Sequence, residues 1–398
     1  MKFIFLIEAK FNKRDYERYG ISYFVDSGFE VEIWDLTEFL TNSSYLSTTP
    51  PDQIEFTNLF TFKHALEVQN SIRGLSDTSC HFVSMVHFNT KTIGLYRAIS
   101  HSKIPYSIFI SGGTFSRATK TKKNFFRRLN NVSLSKIYRM IFYRIPFSCF
   151  GIKPASFVIV PGERYNTSAL PVHSSSKVIW VHSYDYEIYK RYKDVVLDEA
   201  KTIVFIDQYL PFHPDFEYIE SKDKVEPELY FGQLNDFFDF VEQKLACKII
   251  IAAHPRAHLS KMKEYYKNRP IYVGDTAKLI KTSSAAIIHN SYAVNYSVLF
   301  AKPLLFVTTE KINNLLEMGL LGQPFVNDLA EYFNQKEIIL DQKYDHLQLD
   351  NMLNVDHERY NKFKNDYIKK EGSPEDYIWA TFLKVAVKNK SLEKVNCE

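Results

Sequence analysis

The polar groups best able to do chemistry stand directly after short apolar runs. They are Ser111-Gly112-Gly113-Thr114, Pro161-Gly162-Glu163-Arg164, His182-Ser183, Asp207-Gln208, His254-Pro255-Arg256 and His289-Asn290-Ser291-Tyr292. A histidine donates to phosphate or moves a proton, an arginine grips phosphate or carboxylate with a two-pronged fork, and a carboxylate serves as nucleophile or base. Asp207, Glu163 and His289 are therefore the candidate catalytic groups. His254 and Arg256, on an exit stiffened by Pro255, suit an anionic ligand. Asn290 or Ser291, with Tyr292 beside them, is placed to cap a helix over 293–301, where helix-start N–H groups can receive a phosphate. Gly112 and Gly113 lack a Cβ and let backbone approach a ligand. Plainer readings stand beside these: Asp207 as a cap, Glu163 as a turn residue, His254 as a structural histidine, the glycines as an ordinary turn.

Such residues act together only if strands deliver them to one edge of a sheet. Apolar, β-rich runs at 2–7, 31–36, 81–88, 106–110, 157–160 and 178–181 alternate with helix-length spacers, which predicts buried parallel strands. A second series follows at 203–206, 248–252, 271–273, 285–288 and 304–307. Two α/β sheets in succession are expected, as domains 1–190 and 191–374 joined through the polar stretch 184–200. After Pro374, the apolar positions Tyr377, Trp379, Phe382, Leu383 and Val385 predict a terminal helix, about 375–398, that packs back on the first domain. In open parallel sheets ligands collect beyond the carboxyl ends of the strands, where these polar groups fall.

The chain has 398 residues, 45% apolar and 24% charged, which fits a globular protein of two domains. A formal charge of +4 is too small for a general nucleic-acid binder. Charge is unevenly spread, because no acidic residue occurs over 78–162 while Lys120, Lys122, Lys123, Arg127, Arg128, Arg139 and Arg144 do. Interleaved with aromatic groups, those cations suit an anionic membrane surface or an anionic glycan acceptor. Cys80, Cys149, Cys247 and Cys397 have no metal-site spacing and read as free thiols of a reducing cytoplasm. The apolar start is broken by Glu8 and Lys10 and reads as a first strand rather than a signal peptide. No run reaches the roughly 20 apolar residues of a membrane span. Absent too are a GxxxxGK[ST] loop, a complete GxGxxG fingerprint, a G-x-S-x-G elbow and an Asp-x-Asp metal pair, which weighs against kinase, dinucleotide dehydrogenase, α/β-hydrolase and metal-dependent transferase chemistry.

The segments Ser183-Tyr184-Asp185-Tyr186, Phe205-Ile206-Asp207-Gln208, Ala253-His254-Pro255-Arg256 and His289-Asn290-Ser291 resemble those of bacterial GT-B glycosyltransferases that use CMP-activated acidic sugars. These are the β-Kdo transferases of capsule and O-antigen synthesis and, more distantly, the bacterial sialyltransferases. The resemblance covers about a third of the chain. It implies an α/β GT-B fold, two Rossmann-like domains facing across a cleft, with His254 and Ser291 on donor phosphate and Asp207 at the anomeric centre. Glu163 would be a further acid or base from the first domain. It also implies a metal-independent enzyme, a glycan or lipid-linked glycan acceptor, and a place on the inner face of the cytoplasmic membrane. A CDP-polyol phosphotransferase, or a catalytically silent glycan-binding protein, carries similar short motifs.

Overall fold

The computed structural model describes residues 1–40, 53–75, 79–111, 115, 142–196, 201–212, 224–318 and 326–395, with side chains up to Val387. They form two compact units: residues 1–113, 119–184 and 370–398 in the first, 114–118 and 185–369 in the second.

Unit 1 is built on a parallel sheet of β1 (Lys2–Ile7), β2 (Glu30–Asp35), β3 (Leu59–Thr61), β4 (Cys80–Ser84), β5 (Tyr106–Phe109), β6 (Phe157–Val160) and β7 (Lys177–Trp180). Its strand order among the described residues is β3-β2-β1-β4-β5-β6-β7. In β1, Phe3, Phe5 and Ile7 enter the core on one face, and Ile4 and Leu6 the core on the other. Alternate side chains of a strand point to opposite faces, so a strand covered on both sides is apolar throughout. That is why the strands are legible as unbroken apolar runs.

Unit 2 repeats the plan with β8 (Thr202–Ile206), β9 (Lys248–Ala253), β10 (Ile271–Val273), β11 (Ala285–Ile288), β12 (Leu304–Thr308) and β13 (Ile338–Ile339). Its order is β10-β9-β8-β11-β12-β13, again parallel throughout. In both sheets the chain moves outward one way from the first strand, then crosses back to the other side of it. This is the Rossmann order, and the ends of the first strand and its later neighbour mark the point where the direction reverses.

Two differences from the sequence reading matter. The run at 81–88 ends as a strand at Ser84, because the Ser84 Oγ turns back to the Val86 amide at 3.2 Å and Val86–Phe88 become an exit loop. The edge strands β3 and β13 are too short to carry a period of their own. The stretch 184–200 opens as a helix, Tyr184–Tyr192. Gly112, Gly113 and the cation-rich stretch from Lys120 to Ile141 lie outside the described residues. No helix among the described residues is long and apolar enough to cross a membrane.

The terminal helix, Ile378–Val395, belongs to unit 1. Trp379 is its anchor: it is wholly buried among Phe5, Phe24, Phe109 and Phe382, and its Nε1 donates to the Arg18 carbonyl at 2.9 Å. Gly20 makes room for it. Its φ is +62°, and a Cβ there would lie 2.2 Å from the indole. Trp379→Ala is expected to cost about 3–5 kcal/mol of stability. Trp379→Phe, which loses one hydrogen bond and part of the ring, is expected to cost less. Urea denaturation of the two variants checks the order; equal and small losses would mean that the helix is not held through this residue.

Candidate functional site

In unit 2 the reversal point lies between β8 and β11, so the residues leaving those strands head the candidate site. The Asp207 amide bonds the Ala252 carbonyl at 3.0 Å, prolonging the β8–β9 ladder by one residue. The Asp207 carboxyl is buried, and its Oδ1 accepts from the Tyr209 amide at 2.8 Å. Tyr209 sits in the left-handed region at φ 56°, and this bond fixes the turn. Loss of solvent pushes the Asp207 pKa up to about 6, against the opposing pull of the Tyr209 amide, the Tyr266 hydroxyl and the His254 amide. Oδ2 and the Tyr266 hydroxyl are buried and make no bond of good geometry.

Next to it, Gln208 reaches over the reversal point, and its Oε1 accepts from the Asn290 amide at 3.2 Å. The loops leaving β8 and β11 are tied together by that bond. Ser291 Oγ accepts from the Ala293 amide at 3.2 Å, and the helix that follows is Val294–Leu299 with Ala293 as N-cap. The expected cap at Asn290 or Ser291 is therefore replaced by a short turn ahead of the helix. Tyr292 stands exposed on that turn. Asp185, quoted in the resemblance with no role of its own, braces the helix from the other end of the sequence. It accepts from Asn295 Nδ2 at 2.7 Å and from the Tyr296 hydroxyl at 3.0 Å.

His254 leaves β9 beside Asp207. Its Nδ1 accepts from the Arg256 amide at 3.2 Å, which in the neutral ring puts the proton on Nε2 as a donor. Pro255 and Arg256 are exposed in the turn closed by the Ala257 amide on the His254 carbonyl. Both β8 neighbours thus bring a polar exit to the same end of the sheet.

His289 has a different place. It is wholly buried, its Nδ1 donates to the Val307 carbonyl at 2.6 Å, and its Nε2 accepts from the Tyr230 hydroxyl at 2.8 Å. Burial pushes its pKa down to about 4, so the ring is neutral. With both nitrogens engaged inside the core, it ties the end of β11 to β12 and to the helix Pro227–Leu245. Glu163 belongs to unit 1, exposed and paired with the Lys370 ammonium, which also lies 4.9 Å from the Trp180 ring. His182 is buried, with its nitrogens facing the Ser183 and Asp376 carbonyls. Among the described residues, no three His, Cys, Asp or Glu side chains gather as metal ligands.

Sequence reasoning missed a pair at the equivalent reversal point of unit 1. Glu8, the residue after β1, takes both the His87 amide, at 3.0 Å on Oε2, and His87 Nδ1, at 2.5 Å on Oε1. The signal was present, since a carboxylate directly follows the first strand, but its partner was hidden in the run at 81–88, read as the third strand.

Two successive Rossmann-like sheets are the architecture of the GT-B fold class, and the chain has that fold. No family model matches the sequence, and no curated protein matches it. Among solved structures, the spinosyn forosaminyltransferase SpnP aligns with a TM-score of 0.51 and 12% identity over 98% of this chain and 99% of its own. MurG of Acinetobacter baumannii aligns at 0.43 and 10% identity over 91% and 94% of the two chains. The UDP-GlcNAc 2-epimerase of Methanocaldococcus jannaschii, solved with UDP-GlcNAc and UDP, aligns at 0.40 and 13% over 92% and 99%. At 12% identity the likeness to the forosaminyltransferase is one of fold.

The buried charges give a stability test. An acid whose pKa folding raises costs stability increasingly as pH climbs from its unfolded value of about 3.9 to its folded value, here about 6. A base whose pKa folding lowers costs stability as pH falls from about 6.5 to about 4. In wild type the two slopes oppose each other over this window. Asp207→Asn removes the first and leaves the second, so its melting temperature is expected to rise with pH between 4 and 6.5 more steeply than that of wild type. A difference in melting temperature that stays constant with pH would contradict the buried, proton-retaining carboxyl.

Proposed function

We propose that the protein is a glycosyltransferase that moves an acidic sugar, Kdo by preference, from its CMP conjugate to a hydroxyl of a bacterial surface glycan. The observation that supports the reading is the bond of Gln208 to the Asn290 amide across the reversal point of the unit 2 sheet, with Ser291 on the same loop and His254 leaving the adjoining strand β9. A donor imidazole and a hydroxyl there can meet a phosphate without a cation to bridge it. The cytidine and the acidic sugar come from the resemblance around Ala253-His254-Pro255-Arg256. Arg256 extends from the same turn and suits the donor's carboxylate. Asp207 and His289, both buried, act in this reading by holding the loops that meet the donor. An acceptor on a lipid carrier at the inner face of the cytoplasmic membrane fits the cation-rich sequence of the first half.

The test is calorimetry with CMP in EDTA, beside a thermal-shift series with CMP, CDP, UDP and GDP. Saturable CMP binding in chelator is expected, with cytidine nucleotides raising the melting midpoint most. His254→Ala is expected to weaken CMP about tenfold or more, the size of one hydrogen bond to a charged group. Binding that is lost in EDTA and restored by magnesium or manganese would overturn metal independence. A shift with UDP and none with CMP would replace the donor.

A further inference from the structure

We infer that a cavity between the helices Ala65–Gly74 and Ile93–Ser102 of unit 1 binds a small phosphate-bearing ligand through Arg73, Arg97 and His101. The site lies within one unit, and the inference stands apart from the transferase reading.

The two helices shape the cavity from their sequences. Its volume is about 480 Å³, within the range of small-molecule sites. Side chains four positions apart share one face of a helix. Gln69 and Arg73 come to the cavity in this way from the first helix, and Arg97 and His101 from the second. Gly94, one turn ahead of Arg97, lets the helices close together at one end. A Cβ there would lie 2.5 Å from Gln69 Nε2, so any side chain would push that amide aside. Ile72 and Ala98, both buried, give the cavity an apolar floor.

The charge at the rim is of one sign. Among the described residues no aspartate or glutamate lines the cavity. The helix Ile93–Ser102 contains none at all, and Glu67 of the other helix is turned to its start, where it accepts from the Lys63 and His64 amides. Arg73 Nη1 donates to Asn70 Oδ1 at 3.2 Å, a neutral partner on its own helix. Arg73, Arg97 and His101 are exposed. Elsewhere cations meet counter-charges, as Arg269 does with Asp239 and Glu242, and Lys384 with Asp376.

A helix C-terminus attracts cations, and that alone accounts for Arg73 and His101 in their last turns. It does not account for Arg97, more than a turn before the end of its helix, where the attraction has faded. Cations brought together without a counter-charge repel one another, and an anion between them reverses the sign of the interaction. Two guanidinium forks and an imidazole offer donors that match the oxygens of a phosphate, and the apolar floor has room for what the phosphate is attached to. In a parallel sheet each connecting helix runs back against the strands. The last turns that carry Arg73 and His101 therefore lie toward the starts of β4 and β5, at the opposite edge from the polar strand exits.

The test titrates inorganic pyrophosphate into the protein and follows the His101 ring by NMR, its signals assigned with His101→Gln. A saturable shift is expected. Arg73→Gln combined with Arg97→Gln is expected to weaken pyrophosphate about tenfold or more, with the melting temperature unchanged because both side chains are exposed. Arg144→Gln, at an exposed arginine of the same acid-free stretch that does not line the cavity, is expected to change the affinity less than about twofold. Co-sedimentation with phosphatidylglycerol vesicles, against phosphatidylcholine vesicles, separates the two sources of a phosphate. Binding to the phosphatidylglycerol vesicles that the double variant loses, with no response to pyrophosphate, would make the ligand a lipid headgroup at the same cavity. No response to either probe would overturn the inference. So would binding that the double variant keeps, or that Arg144→Gln weakens as much.

Discussion

A parallel sheet cannot close on itself in the Rossmann order without opening a gap at one place. The loops that leave the first strand and its later neighbour must part, because the chain beyond them goes to opposite sides. In this protein that constraint acts twice, between β1 and β4 and between β8 and β11. Polar strand exits gather at these two places. Glu8 with His87 occupies one, and Gln208, Asn290, Ser291 and the adjoining His254 occupy the other. The rest of each sheet is packing.

Holding such loops in place requires polar groups below the surface, and those are costly unless bonded, at about 1–3 kcal/mol for each one left unpaired. Unit 2 meets the requirement at some positions and not at others. His289 gives both nitrogens to partners, and Asn235 Nδ2 donates to two carbonyls. Other oxygens, such as Ser297 Oγ and Gln335 Oε1, are buried without such a bond, and so is Oδ2 of Asp207, beside the Tyr266 hydroxyl, where the response is a carboxyl that keeps its proton to higher pH. In unit 1 the equivalent carboxylate, Glu8, is half-buried and bonded through both oxygens. One strand end stores its acid in the interior and the other presents it. That difference is invisible in the residue types.

The sequence was most informative where burial on both faces leaves a contiguous apolar run. Such runs placed most of the strands, and with them Asp207, His254 and Ser291 at strand exits. It was least informative about direction and partnership. Whether His289 turns inward depends on Tyr230 and Val307, which lie elsewhere in the chain. The apolar run from Phe82 to Phe88 conceals the end of β4, because Met85, Val86 and Phe88 continue the composition while the Ser84, Tyr96 and Val86 contacts turn the backbone. His87 was therefore read as part of a strand. Its partner Glu8 is 79 positions away, a distance over which no local pattern speaks. The bond between Gln208 and Asn290, 82 positions apart, was out of reach for the same reason.

The docking of Trp379 between Phe5, Phe24 and Phe109 has a consequence for biosynthesis. Chains emerge from the ribosome N-terminus first, and domains tend to fold as units as they emerge. Here the ring that completes the core of unit 1 belongs to a helix made after all of unit 2. During synthesis the aromatic faces around β1 wait, unfilled, while residues 185–369 appear and can fold. The half of the protein that is translated first is thus finished last, and an interrupted translation product would carry an intact second unit behind an incomplete first.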